Sequence, residues 1–74
     1  MLDVRQLQVL LAVQAAGSLT QAAHALHLSV PTVTHHLSAL ESRLDATLVE
    51  RSKRGATLTA VGEAVAADAQ RILG

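Results

Sequence analysis

The sequence predicts a mainly α-helical domain that carries one small two-stranded hairpin. Apolar residues recur at helical spacing in several segments, and Ser or Thr residues able to cap a helix precede most of them. A single stretch with β-branched ends and a central Gly interrupts that pattern. The chain has 74 residues, of which 50% are hydrophobic and none is aromatic, so we expect one small domain with an aliphatic core.

The first predicted helix covers residues 3–16. Its apolar positions follow the spacing of one helix face and are Val4, Leu7, Leu10 and Leu11. Gly17 follows directly and can adopt the left-handed conformation that ends many helices, because it has no side chain to clash. We therefore expect the helix to end there.

Two serines are expected to start the second and third helices. Ser18 and Gln21 have the spacing of a capping box, which predicts a short helix from about residue 19 to about residue 27. Ser29 is expected to cap the third helix, because Pro31 then lies in the first turn, where its missing N–H costs little. The apolar stripe of the third helix is Val33, Leu37, Leu40 and Leu44.

Residues 47–59 predict a hairpin with strands near residues 48–50 and 57–58 and with Lys53-Arg54-Gly55 at its tip. Gly55 is expected to serve only the turn. Thr59 is expected to cap a last helix, in which Gly62 should cost about 1 kcal/mol relative to Ala. One face of that helix is expected to hold Val61, Ala64, Val65, Ala69 and Ile72.

Composition argues against several classes of protein. Without aromatic residues, modules that stack single-stranded nucleic acid are disfavoured, and without Cys there is no disulfide framework or thiolate chemistry. The apolar run at residues 9–13 is shorter than the core of a signal peptide, and no stretch reaches transmembrane length. We therefore expect a protein of the reducing cytoplasm, without membrane contact.

Neither catalysis nor metal binding is expected. No nucleophile–base pattern or Gly-rich phosphate loop is present, so the chain is not predicted to be an enzyme and no cofactor is expected. Four His residues occur, but they have no Cys and no nearby carboxylate to complete a metal site. We interpret them as surface or half-buried residues.

The predicted order of elements is that of a winged helix-turn-helix, with a three-helix core, a two-stranded wing and a C-terminal linker helix. In this order and spacing the chain resembles the N-terminal DNA-binding domain of bacterial LysR-type transcriptional regulators. The matching stretches are LQVLLAVQAAGSLTQAAHALHLS (7–29), PTVTHHLSALE (31–41), LVER (48–51) and LTAVGE (58–63). Members often have Gln where this chain has Val30, and Arg where it has His35.

The resemblance implies sequence-specific binding of double-stranded DNA with an imperfect palindrome, in the cytoplasm and associated with the nucleoid. It divides the chain into a DNA-binding domain at residues 1–58 and the start of a dimerising linker helix at residues 59–74. A ligand-sensing domain, through which the family meets its small-molecule effectors, does not follow, so an excised domain or a natural short form is expected. Pairing into a homodimer or higher homo-oligomer is predicted through Val61, Val65 and Ile72.

A recognition helix at residues 30–44 would meet base edges with its N-terminal part, and the wing at residues 48–58 would lie on the DNA backbone or in the minor groove. Four of the six basic residues lie between positions 43 and 54, and the N-termini of the second and third helices can hold phosphates without Lys or Arg. The predicted DNA contacts are Ser18, Thr20, Ser29, Val30, Pro31, Thr32, Thr34, His35, Ser38, Arg51, Lys53 and Arg54.

Two alternatives stay open at this point. His35 is either a neutral spacer or a substitute for the family's Arg, and it could serve as that substitute only when it is protonated. His36 lies nearer the buried edge of the helix and is expected to pack against its neighbours. The formal net charge of zero also fits a winged helix that serves as a protein-interaction or dimerisation module without specific DNA binding.

Overall fold

A computed structural model describes residues 3–74. The predicted domain of residues 1–58 therefore includes Met1 and Leu2, which lie outside the described part. The described elements follow the predicted order, and the fold is mainly helical with one antiparallel two-stranded sheet. The elements are α1 (Val4–Ala16), α2 (Leu19–Leu26), α3 (Val30–Leu44), β1 (Val49–Ser52), β2 (Gly55–Leu58) and α4 (Ala60–Leu73).

The core is aliphatic, as the composition predicts, and α1 lies at its centre in contact with α2, α3 and α4. Each of the three larger helices contributes a face of this core, and the loop before β1 adds Leu48. The largest fully buried side chains are Leu10, Leu40, Leu48, Val9, Val13 and Val33. Among the described residues the one buried polar side chain is that of Gln6 on α1, and aliphatic side chains fill the rest of the interior. The helices are therefore held mainly by apolar burial.

The helix starts agree with the predicted caps. The side chains of Ser18, Ser29 and Thr59 each accept a backbone N–H three residues later, at 3.2, 3.2 and 3.0 Å. Asp3 caps α1 by accepting the N–H of Arg5 at 2.8 Å. Because each cap occupies a donor that the helix itself cannot satisfy, the polar side chains fix where the helices begin.

Three helices end in the left-handed conformation. Gly17, His27 and Asp45 have φ angles of 70°, 58° and 51°. Gly17 confirms the predicted end of α1, and His27 confirms the predicted end of α2. A short polar side chain tolerates this conformation better than most residues do, so Asp45 can end α3 without Gly.

The hairpin is longer than predicted and its turn is shorter. Val49 pairs with Leu58 and Ser52 with Gly55, so Gly55 belongs to β2 and the turn consists of Lys53 and Arg54 alone. The first strand begins at Val49, one residue later than predicted. Leu48 precedes the strand because its side chain is fully buried in the core and its carbonyl accepts the N–H of Thr59 at 2.9 Å.

Gly55 does more than serve the turn, which corrects the prediction for that residue. A Cβ atom at this position would lie 2.3 Å from the carbonyl oxygen of Gly17, and its φ of 130° is rarely adopted by other residues. The next residue, Ala56, donates its N–H to the same oxygen at 2.9 Å. The missing side chain therefore lets the wing pack directly on the end of α1.

Gly62 is likewise required where the sequence predicts only a weakened helix. A Cβ atom there would lie 2.1 Å from the carbonyl oxygen of Leu48, which is backbone and cannot rotate away. Gly62 is buried with Ala66 and Ala69, so the inner face of α4 consists of small residues. This allows α4 to pack closely on the segment that leads into the wing.

Some apolar positions face solvent instead of the core. Leu44 is 37% exposed because α3 ends there and Leu48 fills the core instead, and Val4 is 52% exposed at the start of α1. On α4 only Ala69 of the predicted face is fully buried. Val65 is half-buried, and Val61, Ala64 and Ile72 are exposed.

Candidate nucleic-acid interface

The N-terminus of α2 presents free backbone donors. The Ser18 side chain takes the N–H of Gln21 and its carbonyl takes that of Ala22 at 3.0 Å. The N–H groups of Leu19 and Thr20 have no acceptor among residues 3–74, and the Thr20 side chain is exposed. Such a helix N-terminus carries partial positive charge and can hold a phosphate.

The N-terminus of α3 has fewer free donors than the sequence predicts. Pro31 has no N–H, Thr32 donates to the Ser29 side chain at 3.2 Å, and Val33 donates to the Ser29 carbonyl at 3.1 Å. The hydroxyls of Ser29 and Thr32 also form a hydrogen bond at 2.8 Å. Within residues 3–74, only the N–H of Val30 in this turn has no acceptor.

The outer face of α3 is accessible along its N-terminal half. Val30, Pro31, His35 and Ser38 are exposed, while Thr32 and Thr34 are half-buried. The structure thus brings the predicted contacts of α3 onto one continuous surface. His36 is half-buried, in agreement with its predicted packing position, and its ring lies 6.0 Å from that of His35 between centroids.

The basic side chains of the wing are exposed to solvent. Arg51, Lys53 and Arg54 are all exposed, and the turn is closed by the N–H of Arg54 donating to the Ser52 side chain at 3.2 Å. In the described chain none of the three lies within ion-pair distance of a carboxylate. Their charges are therefore available to a polyanion.

The acidic residues explain how a chain of zero net charge keeps free basic side chains. Among residues 3–74 the one ion pair joins Arg71 to Asp68, on α4. Three other acids make structural contacts: Asp3 caps α1, Glu63 accepts from Gln14 at 2.7 Å, and Glu41 binds backbone. Total charge is therefore a poor guide to this molecule, because within residues 3–74 the basic side chains of the wing are not neutralised by ion pairs.

Glu41 is a site-forming residue that the sequence analysis did not identify. Its Oε2 accepts the backbone N–H of Leu48 at 2.8 Å and that of Val49 at 3.3 Å, so α3 is tied to the start of the wing. The available signal was its isolation, because it is the only Asp, Glu, Lys or Arg between residues 18 and 41.

Residues 3–74 contain no group of three His, Cys, Asp or Glu residues placed to hold a metal ion. No helix in this part of the chain has the length and apolar character to cross a membrane. The predicted pairing stripe on α4 is open at both ends, with Val61 48% and Ile72 66% exposed.

The helix-turn-helix formed by α2 and α3, with the β1–β2 hairpin beside it, defines a winged helix-turn-helix domain. A family profile described as a bacterial regulatory helix-turn-helix protein of the lysR family matches residues 4–63. The chain belongs to this LysR family.

Its relatives include named transcriptional regulators. The chain is 47% identical over 72 residues to the HTH-type transcriptional regulator TcbR of Pseudomonas sp. strain P51, covering 97% of this chain and 24% of that protein. It is 42% identical over the same length to ClcR of Pseudomonas putida, again covering 97% of this chain and 24% of the relative. The chain thus spans about a quarter of the length of these regulators.

Solved structures of the family have the same fold. The crystal structure of a CbnR_DBD–DNA complex matches with a TM-score of 0.93 and 47% identity, over 97% of this chain and 83% of that one. A complex of BenM_DBD with catB site 1 DNA matches with a TM-score of 0.92 and 29% identity, over 97% and 81% of the two chains.

Proposed function

We propose that this chain binds specific double-stranded DNA sequences as the reading domain of a bacterial transcriptional regulator. The observation that carries the proposal is the joint placement of an exposed recognition helix and a basic wing. Among residues 3–74 no carboxylate lies within ion-pair distance of Arg51, Lys53 or Arg54, and Glu41 ties the start of the wing to α3. The DNA complexes of CbnR and BenM support this use of the fold.

The proposed contacts fall into two groups. Backbone positioning comes from the N-terminus of α2 with Ser18 and Thr20, from Ser29 at the start of α3, and from the wing. Base reading comes from the first two turns of α3, where the proposed residues are Val30, Pro31, Thr32, Thr34, His35 and Ser38. The boundary between this reading domain and the linker helix is proposed at residues 58 and 59.

The proposed active form is a homodimer or higher homo-oligomer on an imperfect palindrome, in the bacterial cytoplasm. Val61, Val65 and Ile72 form an apolar stripe on α4 that a second copy can cover symmetrically. Effector sensing, if it follows the pattern of longer regulators, belongs to a domain outside these 74 residues.

Selection of bound sites from random duplex DNA tests the proposal. We expect enriched sequences with two related half-sites in inverted order, separated by a multiple of about 10 base pairs between centres. Recovery of no common sequence would contradict specific DNA binding.

A protein-interaction module is the second candidate, favoured by the zero net charge and the exposed stripe on α4. The two functions differ in their response to salt. Binding through n phosphates weakens with a log–log slope of roughly −0.9n, whereas an apolar protein interface has little such dependence. A titration with duplex DNA at several salt concentrations separates them.

A further inference from the structure

We propose that the first turn of α3 reads the 5-methyl group of thymine, with Val30 as the principal reader. The inference rests on the proposed DNA binding and names the feature of the duplex that this turn recognises. Val30 is 37% exposed at the start of the recognition helix, and the exposed Pro31 ring follows it. Together with the methyl group of Thr32 they form what is called here the apolar tip.

At the apolar tip the hydroxyls of Ser29 and Thr32 bond each other, while the N–H of Val30 has no acceptor among residues 3–74. The Ser29 hydroxyl accepts the N–H of Thr32 at 3.2 Å and shares a hydrogen bond with the Thr32 hydroxyl at 2.8 Å. Whichever hydroxyl donates, a single O–H of the pair remains for another partner. Pro31 has no N–H to offer, so the side chains of the tip present mainly carbon atoms to a bound duplex.

The side chains that usually read guanine and adenine are missing from α3 at these positions. Guanine is typically read by Arg or Lys and adenine by Asn or Gln, each through paired hydrogen bonds. Residues 30–42 contain none of these four residue types. The single apolar feature of the major groove is the thymine methyl group, so an apolar tip discriminates A·T pairs through that group.

Polar recognition can still occur one turn later. Thr34 and His35 retain groups that can bind base edges or phosphates. Methyl reading is therefore confined to the positions that face Val30 and Thr32, and we expect it at one or two thymines in each half-site. Because 5-methylcytosine carries the same methyl group at the same place, it should substitute for part of the thymine contact.

The experiment uses this chain and the duplex recovered by site selection. Each thymine of a half-site is replaced in turn by deoxyuridine, which removes the methyl group and keeps the base-pairing edges. We expect a loss of about fourfold in affinity at one or two thymines, which corresponds to one buried methyl-sized group. The other thymines should show no change.

Two variants assign the contact. The Val30→Ala variant should bind the thymine duplex about fourfold more weakly than the parent chain does. Because the methyl contact is then already lost, this variant should bind the deoxyuridine duplex and the thymine duplex equally well. Thr32→Ser removes a methyl group while keeping the capping hydroxyl. Val4→Ala is the matched control, because Val4 is an exposed valine of α1 away from this site, and it should keep the full response to deoxyuridine.

A second substitution in the DNA tests the methyl group on another base. At the responsive position, replacing the T·A pair by C·G should weaken binding. Replacing that cytosine by 5-methylcytosine should then raise the affinity of the parent chain about fourfold. No such restoration is expected in Val30→Ala. Thermal unfolding of each variant establishes that the fold is retained.

The outcomes distinguish the inference from the proposed function. If no duplex is bound specifically, the proposed function fails. If a duplex is bound but no thymine responds to deoxyuridine, specific binding stands and methyl reading is overturned. A response that persists undiminished in the Val30→Ala, Thr32→Ser double variant also overturns it.

Discussion

The Glu41 carboxylate accepts the backbone N–H of Leu48 at 2.8 Å, which joins α3 to the buried residue that directly precedes β1. The same oxygen also accepts the N–H of Val49 at 3.3 Å. A carboxylate that binds backbone N–H groups forms stronger hydrogen bonds than a neutral acceptor does. The Glu41 side chain therefore helps to fix the position of the wing relative to α3.

Replacement of Glu41 should destabilise the domain. Glu41→Ala leaves two backbone donors without their acceptor, and we expect the free energy of unfolding to fall by about 2 kcal/mol. Glu41→Gln keeps an acceptor oxygen and should cost less. Urea denaturation measures both, and Glu50→Gln is the control because Glu50 is exposed on β1.

Gly62→Ala should also destabilise the domain, although Ala normally favours a helix by about 1 kcal/mol over Gly. The added Cβ meets the Leu48 carbonyl, so α4 must move away from the wing, at a cost of about 2–3 kcal/mol. Urea denaturation shows directly whether Gly62→Ala raises or lowers the free energy of unfolding. A gain in stability would show that α4 can shift freely at this point.

These two residues mark the limit of prediction from the sequence. Ser18, Ser29 and Thr59 were predicted as caps because each acts on a residue three positions away, and such local patterns are visible in the chain. Gly62 and Glu41 act on Leu48, which is 14 and 7 residues away. Their roles depend on how the helices pack, and no short-range spacing encodes that.

The same reasoning explains why the exposed face of α3 was easier to predict than its detailed chemistry. The third helix has a clear apolar stripe, so its opposite face followed from helical geometry. The hydrogen bond between the hydroxyls of Ser29 and Thr32 did not follow, since it depends on side-chain conformation. That contact occupies part of the hydrogen-bonding capacity at the tip of α3.

Arg54→Ala should weaken binding to every duplex and reduce the magnitude of the log–log salt slope by about 1, because one phosphate contact is lost. Arg71→Ala changes the net charge equally but removes a residue paired with Asp68 on α4, so its slope should match the parent. Fluorescence titration at several salt concentrations measures both. An unchanged slope for Arg54→Ala removes this residue from the phosphate contacts.

His35→Ala should weaken binding of the selected duplex by about five- to tenfold, because His35 is exposed on the proposed reading face of α3 and its ring nitrogens can form a hydrogen bond with a base edge. His24→Ala on α2, also exposed, is the control and should bind like the parent chain. Titration with the selected duplex measures both, and an unchanged affinity in His35→Ala would contradict the role of His35.

Self-association is expected through the stripe on α4. Ile72→Asp places a charge on its most exposed apolar residue and should shift the chain toward monomer in analytical ultracentrifugation. Ala67→Asp adds the same charge to an exposed position on another side of α4 and should have a smaller effect. A parent chain that is monomeric even at high concentration contradicts the pairing.

The carbonyl of Gly17 has a consequence for the DNA itself. It accepts the N–H of Ala56 in β2, and the residue that follows Gly17 is Ser18, the N-cap of α2. On a bound duplex, the α2 N-terminus and the wing would hold the sugar-phosphate backbone at a nearly constant separation. A protein built this way favours sequences whose groove width already matches that separation, and so distinguishes duplexes at base pairs that it does not touch.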